Sequence, residues 1–133
     1  GQFTQDHRAD LVVTTCRSGP GAVLLLPGKK VGFKATRSYP DTNGTCAYEP
    51  AVGDLNGDGR PDLVTTLDSS HNSGAASVLY GRAKGGLSAS HKYKAAEGAS
   101  AYSAAIADFN GDKRPDVAVP DYENPRVAVL NGK

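Results

Sequence analysis

The stretch Gly53 Asp54 Leu55 Asn56 Gly57 Asp58 Gly59 Arg60 Pro61 Asp62 Leu63 Val64 returns as Ala107 Asp108 Phe109 Asn110 Gly111 Asp112 Lys113 Arg114 Pro115 Asp116 Val117 Ala118. A chain that repeats itself builds one structural unit several times, and the period decides which unit. The same register laid over the N-terminus gives Gly1 Gln2 Phe3 Thr4 Gln5 Asp6 His7 Arg8 Ala9 Asp10 Leu11 Val12, a third and weaker copy. The period is 52 residues from Gly1 to Gly53 and 54 from Gly53 to Ala107. Spacings near 50 belong to propellers and related arrays.

Apolar, β-branched runs follow each copy at Asp10 to Thr15, Asp62 to Leu67 and Asp116 to Val119, and each reads as a buried strand. Polar turns come next, at Ser18 to Gly21, Ser70 to Gly74 and Tyr122 to Pro125. A second strand then ends in glycine: Ala22 to Gly28, Ala76 to Gly81, Arg126 to Gly132. Weaker third strands are expected at Phe33 to Arg37 and His91 to Ala95, with lead-in strands at Tyr48 to Val52 and Tyr102 to Ala107. No segment keeps a helical period. Four strands per repeat of about 50 residues is the size of a propeller blade. The expectation is all-β: one segment, 1–133, of four-stranded antiparallel blades, with repeats at 1–52, 53–106 and a partial 107–133. About two and a half blades result. They would leave apolar faces and strand edges bare unless copies of the chain, or the rest of a parent propeller, complete the ring.

Sixteen Gly and eight Pro, with neither Met nor Trp, suit many turns and short strands. The longest apolar run, Ala22 to Pro27, is far short of the roughly 20 residues of a spanning helix. A net charge of +1, with Lys and Arg scattered along the chain, gives no electrostatic case for nucleic acid. Cys16 and Cys46 carry no metal-binding spacing. They are compatible with a disulfide, the favoured reading and one that implies an extracellular setting, or with two buried free thiols. Asn43 Gly44 Thr45 is a glycosylation sequon of small weight.

Within the strong loops, oxygen-bearing side chains fall at positions 1, 3, 5 and 9, a spacing that wraps hard oxygen ligands around calcium. An EF-hand would need an acid at position 12, where Thr65 and Val119 stand, and flanking helices. The plain alternative is an Asx-rich turn without an ion. Three carboxylates crowded into one turn with no cation would repel one another, which weighs against it.

These loops resemble the FG-GAP/VCBS repeats of integrin-type and bacterial secreted β-propellers, and the likeness covers essentially the whole chain. The resemblance implies a propeller whose blade-edge loops hold calcium. By position the ligands would be Asp54, Asn56, Asp58, the Arg60 carbonyl and Asp62, then Asp108, Asn110, Asp112, the Arg114 carbonyl and Asp116. The first copy departs at Gln2 and Thr4, which leaves Asp6, Arg8 and Asp10 as a degenerate site. Lys113 replaces the glycine common in the turn. Calcium in this setting staples a turn more often than it performs chemistry.

His7, His71 and His91 share no paired spacing and read as solvated loop residues, and Lys84 Gly85 Gly86 reads as a turn. Tyr48 and Tyr102 each lie six residues before their loop, in register. They either pack at blade boundaries or offer a sugar or peptide an apolar face with a polar tip, with Glu49, Tyr80 and Tyr122 as weaker neighbours. No nucleophile with a base and an orienting acid is visible, so an enzyme is not expected. The reading is a secreted, calcium-stabilised propeller module that binds carbohydrate, the ligand class being supplied by the resemblance to lectin and adhesion propellers. A structural or adhesive segment, or part of an extracellular polysaccharide-acting enzyme, are the alternatives.

Overall fold

The computed structural model describes residues 1–17, 19–40, 46–68, 73–97 and 100–132. The sequon at 43–45, His71 and much of the expected turn at 70–74 lie outside these residues. Three antiparallel sheets follow one another along the chain. The first has the order β1-β2-β3, from β1 (Leu11–Arg17), β2 (Gly19–Leu26) and β3 (Arg37–Pro40). In the second, β4 (Cys46–Ala47) and β5 (Ala51–Gly53) both pair with β6 (Asp62–Asp68), which is followed outward by β7 (Ser73–Leu79) and β8 (His91–Glu97). The third joins β9 (Ala105–Ala107), β10 (Asp116–Pro120) and β11 (Val127–Leu130).

Alternation along the strands explains the stacking, because successive side chains leave opposite faces of a sheet. In the middle sheet Leu63 pairs with Leu79, and both face the first sheet, where Val23 and Leu25 of β2 form one buried cluster with them, completed by Phe3 of the N-terminal loop and Leu87 of the turn after β7. One residue on, Val64 pairs with Val78, and these face the third sheet with Ala76, Ala101, Val117 and Val119. The middle sheet is therefore covered on both sides. Each outer sheet keeps a bare face: Leu11 and Val13 on β1, Val127 and Val129 on β11.

Several boundaries differ from the sequence expectation. The third strand of the first sheet begins at Arg37 and not at Phe33, because Phe33 forms an isolated bridge with Gly28 that closes a turn first. The lead-in strand at Tyr48 to Val52 is split in two. Tyr48 still donates its N–H to Thr66 O at 2.9 Å, but Pro50 has no N–H to offer the ladder. That split makes eleven strands among the described residues where ten were expected. Gly19 to Gly21 belong to β2 and not to a turn, and β9 and β11 are shorter than expected. Cys16 and Cys46 form the disulfide, with Cα atoms 4.4 Å apart, and no free cysteine remains among the described residues. It joins β1 of the first sheet to β4 of the second, so it spans two sheets.

Candidate functional site

The aspartate at loop position 9 is the anchor of each copy. Asp62 is fully buried, at 0% exposure. Leu55 donates its N–H to one carboxylate oxygen at 2.8 Å, and Gly81, at the end of β7, donates to the other at 2.7 Å. Asp116 repeats this with Phe109 at 3.0 Å and Gly132 at 2.8 Å. Asp10 receives Gly28 at 2.8 Å, but its second oxygen takes the Thr4 N–H at 2.7 Å, one residue further along the loop. All three glycines press against the carbonyl of loop position 8; a Cβ would come within 2.6 Å of Pro61 O at Gly81 and 2.5 Å of Pro115 O at Gly132, closer than real Cβ atoms approach. The glycine that ends each second strand was legible in the sequence, while its bond to the aspartate was not.

The remaining oxygens fold inward on their own turn. Asp54 accepts N–H bonds from Asp58 at 3.1 Å and Gly59 at 2.7 Å, Asn56 accepts from Asp58 at 3.1 Å, and Asp58 accepts from Arg60 at 2.9 Å. In the next copy Asp108 accepts from Gly111 at 2.6 Å and Lys113 at 2.9 Å, Asn110 from Asp112 at 2.9 Å, and Asp112 from Arg114 at 2.8 Å. Position 6 has a positive φ in all three copies, 58° at His7, 77° at Gly59 and 68° at Lys113. Only the middle copy fills it with the residue that tolerates this without cost.

Burial pushes the Asp62 carboxyl above the ordinary carboxylate value; the N–H donors of Gly81 and Leu55 oppose the shift, and the charges of Asp58 and Asp54 add to it. Negative charge is thus concentrated at this turn, and part of it is met by the Arg60 guanidinium, which pairs with Asp58 while its Nε donates to Gly81 O at 3.1 Å. The first copy has a different solution. Thr4 turns its hydroxyl to Asp10 at 3.1 Å, Arg8 N–H reaches Asp6 at 3.2 Å, and Lys34 brings its ammonium to Asp6 at 2.9 Å. That lysine bond holds the Asp6 carboxyl below the usual range.

A hard, all-oxygen donor set suits calcium, which takes 6–8 such ligands. A carboxylate oxygen that accepts one N–H keeps a lone pair for a metal. Among the described residues, however, no three His, Cys, Asp or Glu side chains are gathered in a metal-ready group. The donor chemistry of the two strong loops fits the ion, and their side chains are closed on N–H groups of the loop and, at Asp62 and Asp116, on Gly81 and Gly132.

At the opposite end of the sheets, Tyr48, Tyr102 and Tyr122 come together. Tyr48 and Tyr102 meet edge to face with ring centroids 4.8 Å apart, and Tyr102 and Tyr122 meet at 5.2 Å with their planes at 90°. Tyr122 is 79% exposed, and the three rings line an open corner where the second sheet meets the third. Glu49 stands exposed beside Tyr48. Tyr122 is held by its turn: its N–H donates to Ser100 O at 2.8 Å, and the neighbouring Asp121 accepts from Arg126 at 2.6 Å, Asn124 at 2.9 Å, Glu123 at 3.1 Å and Ser100 at 3.2 Å. Burial would raise the Asp121 carboxyl, but these bonds outweigh it and hold it at about 2. Tyr80 stays apart from the corner, its hydroxyl 3.1 Å from that of Tyr93, a bond that with burial raises it to about 12.

Consecutive antiparallel sheets of three, five and three strands, stacked face to face, with the same acidic loop before β1, β6 and β10, define a β-propeller repeat protein. The chain belongs to the FG-GAP-like repeat family, matching it over residues 2–65 and 66–119. Comparison with curated proteins and with solved structures gives no match.

Proposed function

We propose that the chain is a calcium-stabilised β-propeller segment of a secreted protein, and that it works by binding carbohydrate and not by catalysis. The Tyr48, Tyr102 and Tyr122 corner carries this reading. Three phenol rings packed edge to face, with Tyr122 exposed, Tyr102 partly so and Tyr48 half-buried, offer a pyranose an apolar wall and floor. The Cys16–Cys46 bond supports an oxidising, extracellular setting. The repeat family is generally non-catalytic. Calcium would be held by Asp54, Asn56, Asp58, the Arg60 carbonyl and Asp62, and by Asp108, Asn110, Asp112, the Arg114 carbonyl and Asp116. Its positive charge would offset the repulsion between carboxylates in each turn.

A glycan array probed with and without chelator, next to a calcium titration, tests the proposal. Two ions per chain and retention of at least one neutral glycan are expected, with Tyr122→Ala weakening that glycan roughly three- to tenfold. No calcium uptake at millimolar concentration would sink the metal reading, and glycan retention indifferent to Tyr122→Ala would sink the aromatic one. The bare faces at Leu11, Val13, Val127 and Val129 also support an assembly in which further blades, from copies of the chain or from a parent polypeptide, complete the ring. Light scattering checks this: a well-folded monomer of 13.8 kDa would contradict it.

A further inference from the structure

Lys and Arg look scattered along the sequence, but two stretches free of acids concentrate them. Residues 18–40 hold Lys29, Lys30, Lys34 and Arg37, and residues 69–96 hold Arg82, Lys84, Lys92 and Lys94. Neither segment contains an Asp or Glu. In strand terms these are β2 and β3, and β7 with β8 short of its last residue, Glu97, together with the turns between them. Acids populate the loops that precede β1, β6 and β10. A net charge of +1 therefore conceals two basic stretches, whose turns adjoin the acidic loops through Gly28 and Gly81.

The basic residues also converge in space. The turns after β2 and β7 are closed by the equivalent bridges Gly28 to Phe33 and Gly81 to Leu87, and both glycines are tied to loop aspartates, so the turns sit at the same end of adjacent blades. The second turn leans on the first blade. Gly86 donates its N–H to Phe3 O at 2.8 Å, Leu87 donates to the Tyr39 hydroxyl at 3.0 Å, and the Arg37 guanidinium lies 3.1 Å from the place a Cβ on Gly86 would take. Arg37 thus links the cations of one turn to those of the next. Lys29, Lys30, Arg37, Arg82 and Lys84 are all exposed, and none has an acidic partner among the described residues. Lys34 is the exception, engaged with Asp6.

We infer that this ridge, Lys29, Lys30, Arg37, Arg82 and Lys84, binds a linear anionic polysaccharide through its sulfate or carboxylate groups. Long, separately exposed cations on an open ridge do not enclose a small anion. They suit a polymer that carries charge at intervals and exchanges many weak, salt-sensitive contacts. Nucleic acid has the same charge, but the inter-blade disulfide belongs to an oxidising compartment, where the abundant polyanions are acidic glycans. This inference rests on the extracellular part of the reading above and is independent of the aromatic corner.

Affinity for heparin oligosaccharides, neutral dextran and a single-stranded DNA oligonucleotide, measured across a salt series, tests it. The chains compared are the unmodified one, Lys29→Gln with Lys30→Gln, Arg82→Gln with Lys84→Gln, and Tyr122→Ala. Heparin should bind at low salt, weaken steeply as salt rises, and lose roughly fivefold in affinity for each cation removed. Tyr122→Ala should leave heparin binding intact, so loss of the neutral-glycan site and loss of the ridge are told apart. Because the substituted side chains are exposed, unchanged thermal unfolding confirms that each variant is folded, and each pair serves as a check on the other. No heparin binding at low salt, heparin affinity in both charge variants unchanged from that of the unmodified chain, or tighter retention of DNA than of heparin would each overturn the inference.

Discussion

Replacing Asp62 by alanine is expected to cost about 3–6 kcal/mol, the largest loss for any single side chain in the loops. The buried carboxylate accepts one N–H from the loop, at Leu55, and one from the end of β7, at Gly81. Hydrogen bonds to a charged group contribute about 1.5–3 kcal/mol each, and alanine leaves both donors buried and unsatisfied. Denaturant unfolding with chelator present isolates this part, because the two N–H bonds need no metal. A cost under about 1 kcal/mol in chelator would mean that the carboxylate matters only as a metal ligand. Asp58→Ala, by contrast, removes a partly exposed acceptor and should cost little without calcium.

Removing the Cys16–Cys46 bond should cost about 3.5 kcal/mol on the chain-entropy account, given a sequence separation of 30 residues. The bond ties β1 to β4, so the loss falls on the seam between the first and second blades and not within one of them. Reduction, or the paired Cys16→Ala and Cys46→Ala variant, should lower the unfolding midpoint and leave the two blades less strongly coupled. An unchanged midpoint after complete reduction, verified by thiol titration, would refute this.

The repeats, the blades and their buried strands were legible because apolar, β-branched runs and a 52- to 54-residue spacing are one-dimensional properties. What escaped depends on contacts between distant segments. Lys34 reads as an ordinary surface lysine until the turn after Gly28 carries it back to Asp6. Tyr122, ranked below Tyr48 and Tyr102, completes their corner because Asp121 fixes its turn against Ser100. The strand expected from Phe33 starts late for a related reason: the bridge to Gly28 settles the turn before the ladder with β2 begins. The loop acids were found by spacing, yet spacing alone did not separate Asp62, held by two distant backbone groups, from Asp58, held within its own turn.

The sequence repeat opens at the acidic loop, whereas the middle sheet opens one strand earlier, with β4 and β5, which lie at the end of the preceding repeat. Neighbouring units are therefore shingled, each lending its last strand to the next, and the disulfide rivets the first overlap. A segment excised at the sequence boundary would carry away a strand that belongs to its neighbour and lack one of its own. The unit that duplicates in the gene is accordingly not the unit that can stand in solution, and any attempt to lengthen, shorten or shuffle this array should cut between β8 and β9, or between β3 and β4, and leave the acidic loops whole.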